Sequence, residues 1–144
     1  MSRKVLLVTG DGGDSYEVLY AYHRFLEARW EPVVAAPSRR RLHMVVHDVE
    51  PGWETYVERP GHSLEADVAI TAVTARDFAA VVILGGRAPE YLRNDASVLS
   101  LVREGIAEFH RALGKNACRW CNGLHGEPPP IRKSDKNDFY SASS

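Results

Sequence analysis

Two cysteines, Cys118 and Cys121, are all that 144 residues contain. They are too few and too close together to build the disulfide framework of a small secreted domain. Long apolar runs are also missing, and no stretch approaches the roughly 18 residues that span a bilayer. The start, Met1-Ser2-Arg3-Lys4, runs directly into Val5-Leu6-Leu7-Val8. That run is too short for a signal-peptide core and has no small-residue cleavage site after it. There is no excess of one charge: 18 basic residues stand against 19 acidic ones, a formal net charge of −1. The balance leaves no basic footprint for nucleic acid, and Arg39-Arg40-Arg41 reads as a solvated turn. No internal repeat is present. The expectation is one cytoplasmic α/β domain with a single sizeable core and with neither nucleic acid nor membrane as a partner.

What is present alternates between strand and helix patterns. Lys4 to Thr9 is continuously apolar, as a central parallel strand is when both faces are covered. A turn of Gly10, Asp11, Gly12 and Gly13 follows, and Asp14 or Ser15 can cap the next helix. Val18, Leu19, Tyr22, Phe25 and Leu26 recur at helical spacing, which predicts a helix to about Arg29. Val33-Val34-Ala35-Ala36 predicts a second strand, completing a βαβ unit with a right-handed crossover. Leu42 to His47 and Trp53 to Glu58 read as two strands around the turn pair Pro51-Gly52, a hairpin or an excursion at the sheet edge. Ala66 to Ile70 predicts a short strand, Thr74 to Phe78 a short helix, and Val81 to Leu84 a buried strand ended by Gly85-Gly86. Ser97 to Leu113 is an amphipathic helix with Gly114 as its C-cap, and Ala117 to Cys121 fits a further strand. His43 and His47 lie four apart on a predicted strand, about 13 Å along one face, too far to share a metal.

Three segments together resemble the DJ-1/PfpI family: Lys4-Val5-Leu6-Leu7-Val8-Thr9, Tyr16-Glu17-Val18 leading to Tyr22-His23-Arg24, and above all Leu84-Gly85-Gly86-Arg87-Ala88-Pro89-Glu90. The resemblance runs over roughly residues 3 to 115. It implies a flavodoxin-like three-layer sandwich with a mainly parallel sheet. It also implies self-association as a homodimer or higher oligomer, and a small-molecule or peptide substrate for a cysteine-dependent hydrolase, either an intracellular peptidase or amidase or a protein deglycase. Family chemistry uses a thiolate at a sharp strand-to-helix turn, favoured by the positive end of a helix dipole. Carried over residue by residue, Cys121 falls at the nucleophile and Glu17 at the glutamate that contacts it. Gly86 falls at the glycine whose amide helps hold an oxyanion. Glu90 falls at the acid that completes a triad across a subunit interface in peptidase-like members. Competing readings stay open: Glu17 as a first-turn helix acid, Gly85-Gly86 as a plain turn, and Glu90 as an exposed helix-start acid.

The pattern breaks after Lys115. Asn122 stands where the family has histidine, or alanine in some branches, and an amide is no general base. Arg119 lies in what should be a buried strand. Gly126, Pro128, Pro129 and Pro130 oppose the helix that would carry the thiol, and the family's later strands and last helix have no equivalent. The reading is therefore a DJ-1/PfpI-like domain over 1–123 with C-terminal elements missing, and an irregular, polar tail over 124–144. Turnover is expected to be impaired, with a non-catalytic association or chaperone-like domain as the alternative. Cys118-x-x-Cys121 with His125 offers three zinc ligands where a structural site needs four, and a redox pair would need the helix that the prolines oppose. No metal and no cofactor are expected.

Overall fold

The computed structural model describes residues 3–113, with side chains through residue 108. Strands are β1 (Lys4–Val8), β2 (Glu31–Ala36), β3 (Arg41–Asp48), β4 (Val57–Glu65), β5 (Val68–Ala69) and β6 (Ala80–Ile83). Helices are α1 (Ser15–Glu27), α2 (Ala88–Leu92) and α3 (Ala96–Leu113), and single 3-10 turns occupy Ile70–Ala72 and Ala75–Asp77. β5, β2, β1 and β6 lie in that order in a parallel sheet, and β3 and β4 form a separate antiparallel pair. Among the described residues no helix is long and apolar enough to cross a membrane.

The alternation of β1 builds three layers. Leu6 and Val8 point to one face, where Ala35, Leu92, Val98 and Leu101 close over them. Val5 and Leu7 point to the other, where Val18 of α1, Met44 of β3 and Leu84 cover them. The four apolar side chains of β1, Val5 to Val8, are completely buried, each contributing about 1.5–3 kcal/mol through removal from water. A strand covered on both sides must be apolar where it is covered, which is why Val5 to Val8 carries no polar alternation. The outcome is the expected flavodoxin-like α/β arrangement, with α2 and α3 on one face and α1 with the hairpin on the other.

Helix α1 starts where the sequence places a cap. Asp14 Oδ1 accepts from the N–H groups of Tyr16 at 2.9 Å and Glu17 at 3.1 Å, satisfying two donors that the first turn would leave unpaired. Arg29, at φ 60°, turns the chain out of the helix, and the Trp30 N–H returns to the Phe25 carbonyl at 2.9 Å.

Two elements differ from expectation. The second hairpin strand begins at Val57 rather than Trp53 and runs through Pro60 and Gly61 to Glu65. A bulge between His43 and Val45 slips the register and lets Pro60 face Val45. Gly61 is required there because a side chain would strike Val45 and Ser15 Oγ. The hairpin is also not a sheet-edge excursion: it lies over α1 and the loop after β1, joined to the loop by bonds from the Gly12 N–H to the His43 carbonyl (2.8 Å) and from the Val45 N–H to the Gly13 carbonyl (2.9 Å), and to α1 by the His62 N–H on Ser15 Oγ (3.0 Å). The five-residue helix α2 carries too little periodicity to be read from sequence. The expected strand at 117–121 and the tail at 124–144 lie outside the described residues.

The same loop is zipped on its other side. The Asp14 N–H donates to the Gly85 carbonyl at 3.1 Å and the Arg87 N–H to the Gly12 carbonyl at 2.8 Å, with Gly13 and Gly86 as the facing pair. Three strips of backbone, β3, Gly12–Asp14 and Gly85–Arg87, thus lie side by side. Gly86 has φ 89°, and a Cβ there would overlap the Asp14 amide nitrogen and the Gly12 oxygen. Gly52 has a similar φ of 85° with nothing within 4 Å of its would-be Cβ. Gly52→Ala should therefore cost only the positive-φ strain, about 1–2 kcal/mol. Gly86→Ala should cost that plus about 1–3 kcal/mol of steric overlap, as read from urea unfolding midpoints. Equal losses at the two positions would show that the close approach of the loops contributes nothing.

Candidate functional site

In an open parallel sheet, ligands bind beyond the carboxyl ends of the strands, where the strand order reverses. Here β1 is that point: the chain leaves it toward β2 on one side and β6 lies on the other. The segments emerging there are Thr9 to Gly13 after β1 and Leu84 to Arg87 after β6. The glycine strips that pack against each other are therefore the floor of the candidate site.

Glu17 reaches this floor from the first turn of α1. Its Oε2 accepts the Gly85 N–H at 2.7 Å across 68 residues of sequence, while its own N–H is held by Asp14. The carboxylate lies against Gly85 so closely that a Cβ at that position would overlap it. Gly86 sits next, and the antiparallel geometry sets the direction of its N–H. In a facing pair whose flanking residues exchange the hydrogen bonds, the pair's own N–H groups point away from each other. The Gly86 N–H takes none of the ladder bonds and faces away from Gly13. A backbone donor aimed outward beside a fixed carboxylate can polarise a carbonyl or hold an oxyanion, provided a nucleophile is brought to it.

Glu90 lies apart from Glu17, in the first turn of α2. It lines a cleft of about 510 Å³ together with Asp11, Gly12, Arg87, Tyr91 and Asn94. Charge is closely managed there. Burial raises the Asp11 pKa, but the His43 N–H at 2.8 Å and the Arg40 guanidinium at 2.5 Å outweigh it and hold the carboxyl below its ordinary value. Burial, aided by the negative charge of Asp11, pushes the Tyr91 phenol up, so it stays a hydrogen-bond donor, to the Asp11 carbonyl at 3.0 Å.

Of the four residues expected from sequence, Glu17 and the glycine turn containing Gly86 are brought together, Glu90 lines the neighbouring cleft, and Cys121 lies outside the described residues. Sequence reasoning missed Asp11, Arg87 and Tyr91. Asp11 read as one of a turn's polar residues, and only folding places it against Arg40 and His43. Among the described residues no cluster of three or more His, Cys, Asp or Glu has metal-binding geometry. His43 and His47 are employed separately, His43 through its backbone and His47 between two carboxylates.

The family model for DJ-1/PfpI matches residues 3–111. DJ-1 homolog D of Arabidopsis thaliana is 31% identical over 106 residues, 72% of this chain and 27% of its own length. A protein named as a deglycase from Pyrococcus horikoshii is 29% identical over 120 residues, 83% of this chain and 61% of its own. The chain thus spans between about a quarter and three fifths of these relatives. Among solved structures, a two-domain Anabaena variabilis protein with DJ-1/ThiJ/PfpI-like and ferritin-like domains superposes with a TM-score of 0.58 at 24% identity, covering 73% of this chain and 27% of that one. A ThiJ/PfpI domain protein of Brachyspira murdochii gives 0.55 at 19% identity, covering 71% and 51%. Both support the fold.

The Glu17 contact makes a stability prediction independent of any activity. A hydrogen bond to an ionised acceptor is worth about 1.5–3 kcal/mol when shielded, and exposure of this side chain should reduce that to about 1 kcal/mol. Glu17→Ala should lower the calorimetric Tm by about 2–5 °C for a domain of this size. Glu17→Gln, which keeps a neutral acceptor, should lose less. A Gln variant no better than Ala would mean that the Gly85 contact is incidental.

Proposed function

The chain belongs to the DJ-1/PfpI family, and on that premise we propose that it is a cysteine-dependent hydrolase domain of the deglycase or peptidase type whose turnover is impaired. The observation that carries this reading is the Glu17 carboxylate on the Gly85 N–H, beside the outward N–H of Gly86, at the switch point of the sheet. On this reading half of a thiol-dependent acyl or carbonyl site would consist of these two groups: a carboxylate to orient a thiol and an amide to receive an oxyanion. The other half would be Cys121, with Glu90 as the outlying acid. A relative named as a deglycase supports the reaction class.

Impairment follows from residue chemistry. Asn122 follows Cys121 where the family has its histidine, and it cannot take a proton from the thiol or return one to a leaving group. General-base assistance is typically worth about 10² to 10⁴-fold in rate. The prolines at 128, 129 and 130 oppose the helix whose dipole would favour a thiolate. A non-catalytic, associating domain of the same fold is the alternative, supported by the same substitutions. Association of two copies belongs with either reading, since Tyr16 and Tyr20 project from α1 at 69% and 71% exposure.

Two measurements on the unmodified chain and one variant decide between these. Cys121 should be alkylated near neutral pH at the rate of an ordinary thiol of pKa about 8.5. Deglycase or peptidase turnover should be small, and Cys121→Ser should change it little. Rapid alkylation of Cys121, with robust turnover that Cys121→Ser abolishes, would overturn the impairment. Turnover that survives Cys121→Ser but vanishes in Glu17→Gln or Glu90→Gln would overturn the cysteine assignment itself.

A further inference from the structure

Four side chains on four segments form a continuous polar chain beside the glycine strips. Asp14 Oδ2 lies 3.0 Å from His47 Nδ1, His47 Nε2 lies 3.4 Å from Glu58 Oε1, and Glu58 Oε2 lies 2.9 Å from Arg87 Nε. Asp14 and Arg87 are the ends of the two strips already zipped by backbone hydrogen bonds. The side-chain chain therefore closes a ring: loop after β1, strand β3, strand β4, turn after β6, and back through the backbone. It is well placed to matter, since Asp14 is 8% exposed, Glu58 23% and His47 26% in their side chains, while Arg87 at 58% reaches into solvent.

We propose that His47 is a positioning residue for the glycine turn and its cleft, acting through Glu58 on Arg87 according to whether its ring carries one proton or two. The proposal rests on the functional reading above only in treating Gly86 and the adjoining cleft as the place where substrate sits. Both ring nitrogens face carboxylate oxygens. An imidazolium donates to both, whereas a neutral ring donates at one nitrogen and presents a lone pair at the other. The groups facing the ring are Asp14 from the start of α1, Glu58 from β4 and the Tyr56 ring at 4.2 Å between centroids, with Arg87 behind Glu58. When one proton leaves, the geometry selects which contact fails. Asp14 is pinned by its capping bonds to Tyr16 and Glu17 and holds the shorter contact. Glu58 holds the longer one, so it is released. Its carboxylate can then turn about its own side-chain bonds, and Arg87 loses the fixed orientation that keeps its Nε on Glu58 and its stem over Gly12. Arg87 lines the same cleft as Glu90 and Tyr91, so the guanidinium is freed beside the candidate site.

The test is a pH titration of the full chain by NMR, following the His47 ring nitrogens and the Arg87 Nε–H together. The expected result is a single step in the Arg87 Nε–H chemical shift with the midpoint of the His47 ring titration. Exposed His23 and His62 serve as controls, with no matching step expected at Arg87. His47→Gln should abolish the step, and so should Glu58→Gln, which removes the carboxylate that links the ring to Arg87. An Arg87 signal that stays flat across the His47 titration, or a step that persists in His47→Gln, overturns the proposal. Should His47→Gln fail to fold, the coincidence or separation of midpoints in the unmodified chain still decides it. No step of the test measures turnover, so robust Cys121-dependent turnover would overturn the impaired-hydrolase reading and leave this result intact.

Discussion

Gly86 has no room for a side chain, and the rest of the site depends on that. Its φ of 89° and the proximity of the Asp14 nitrogen and Gly12 oxygen let two loops from opposite sides of the switch point lie against each other as strips of sheet. A Cβ would separate them. The Gly85 N–H would then leave Glu17, Arg87 would leave Gly12, and the hairpin bound to Gly12 and Gly13 would lose its seat. One glycine thus links local backbone geometry to the placement of a carboxylate 68 residues away in sequence.

Much of the fold was legible in the chain. The apolar run Lys4 to Val8, the Asp14 cap and the helical spacing from Val18 to Phe25 are local patterns, and they appear where the patterns place them. The second hairpin strand was read four residues early because Trp53 and Tyr56 are good strand formers, whereas Pro60 and Gly61 are poor ones. Cross-strand pairing through the bulge, and the need for a small residue beside Ser15, overrode that propensity. Of the site, Glu17 and Gly86 were legible through family resemblance. The Asp14–His47–Glu58–Arg87 ring was not, since its members are spread over four segments and only tertiary packing joins them. His47 on a strand could be excluded as a partner of His43 for a metal, but nothing local announced the two carboxylates that flank it.

The division between scaffold and chemistry is uneven along the chain. The family match covers residues 3–111, and within it the Glu17 carboxylate, the Gly85-Gly86 turn and the cleft lined by Glu90 are brought to one end of the sheet. The two thiols come later, in a segment whose Asn122 and prolines depart from the family pattern. A domain can keep the backbone geometry of a site because that geometry is also what packs its loops. Here the glycine strips tie α1, the hairpin and the sheet together, so they have a structural role whatever chemistry they frame.

The interlocked strips are most directly tested by native-state hydrogen exchange. The amides of Gly12, Asp14, Val45 and Arg87 belong to three segments but to one hydrogen-bonded unit. The account predicts that they exchange together, through a common opening, with protection of at least about a thousandfold over free loop amides. Exchange of these four at loop-like rates, while the amides of β1 remain protected, would contradict it.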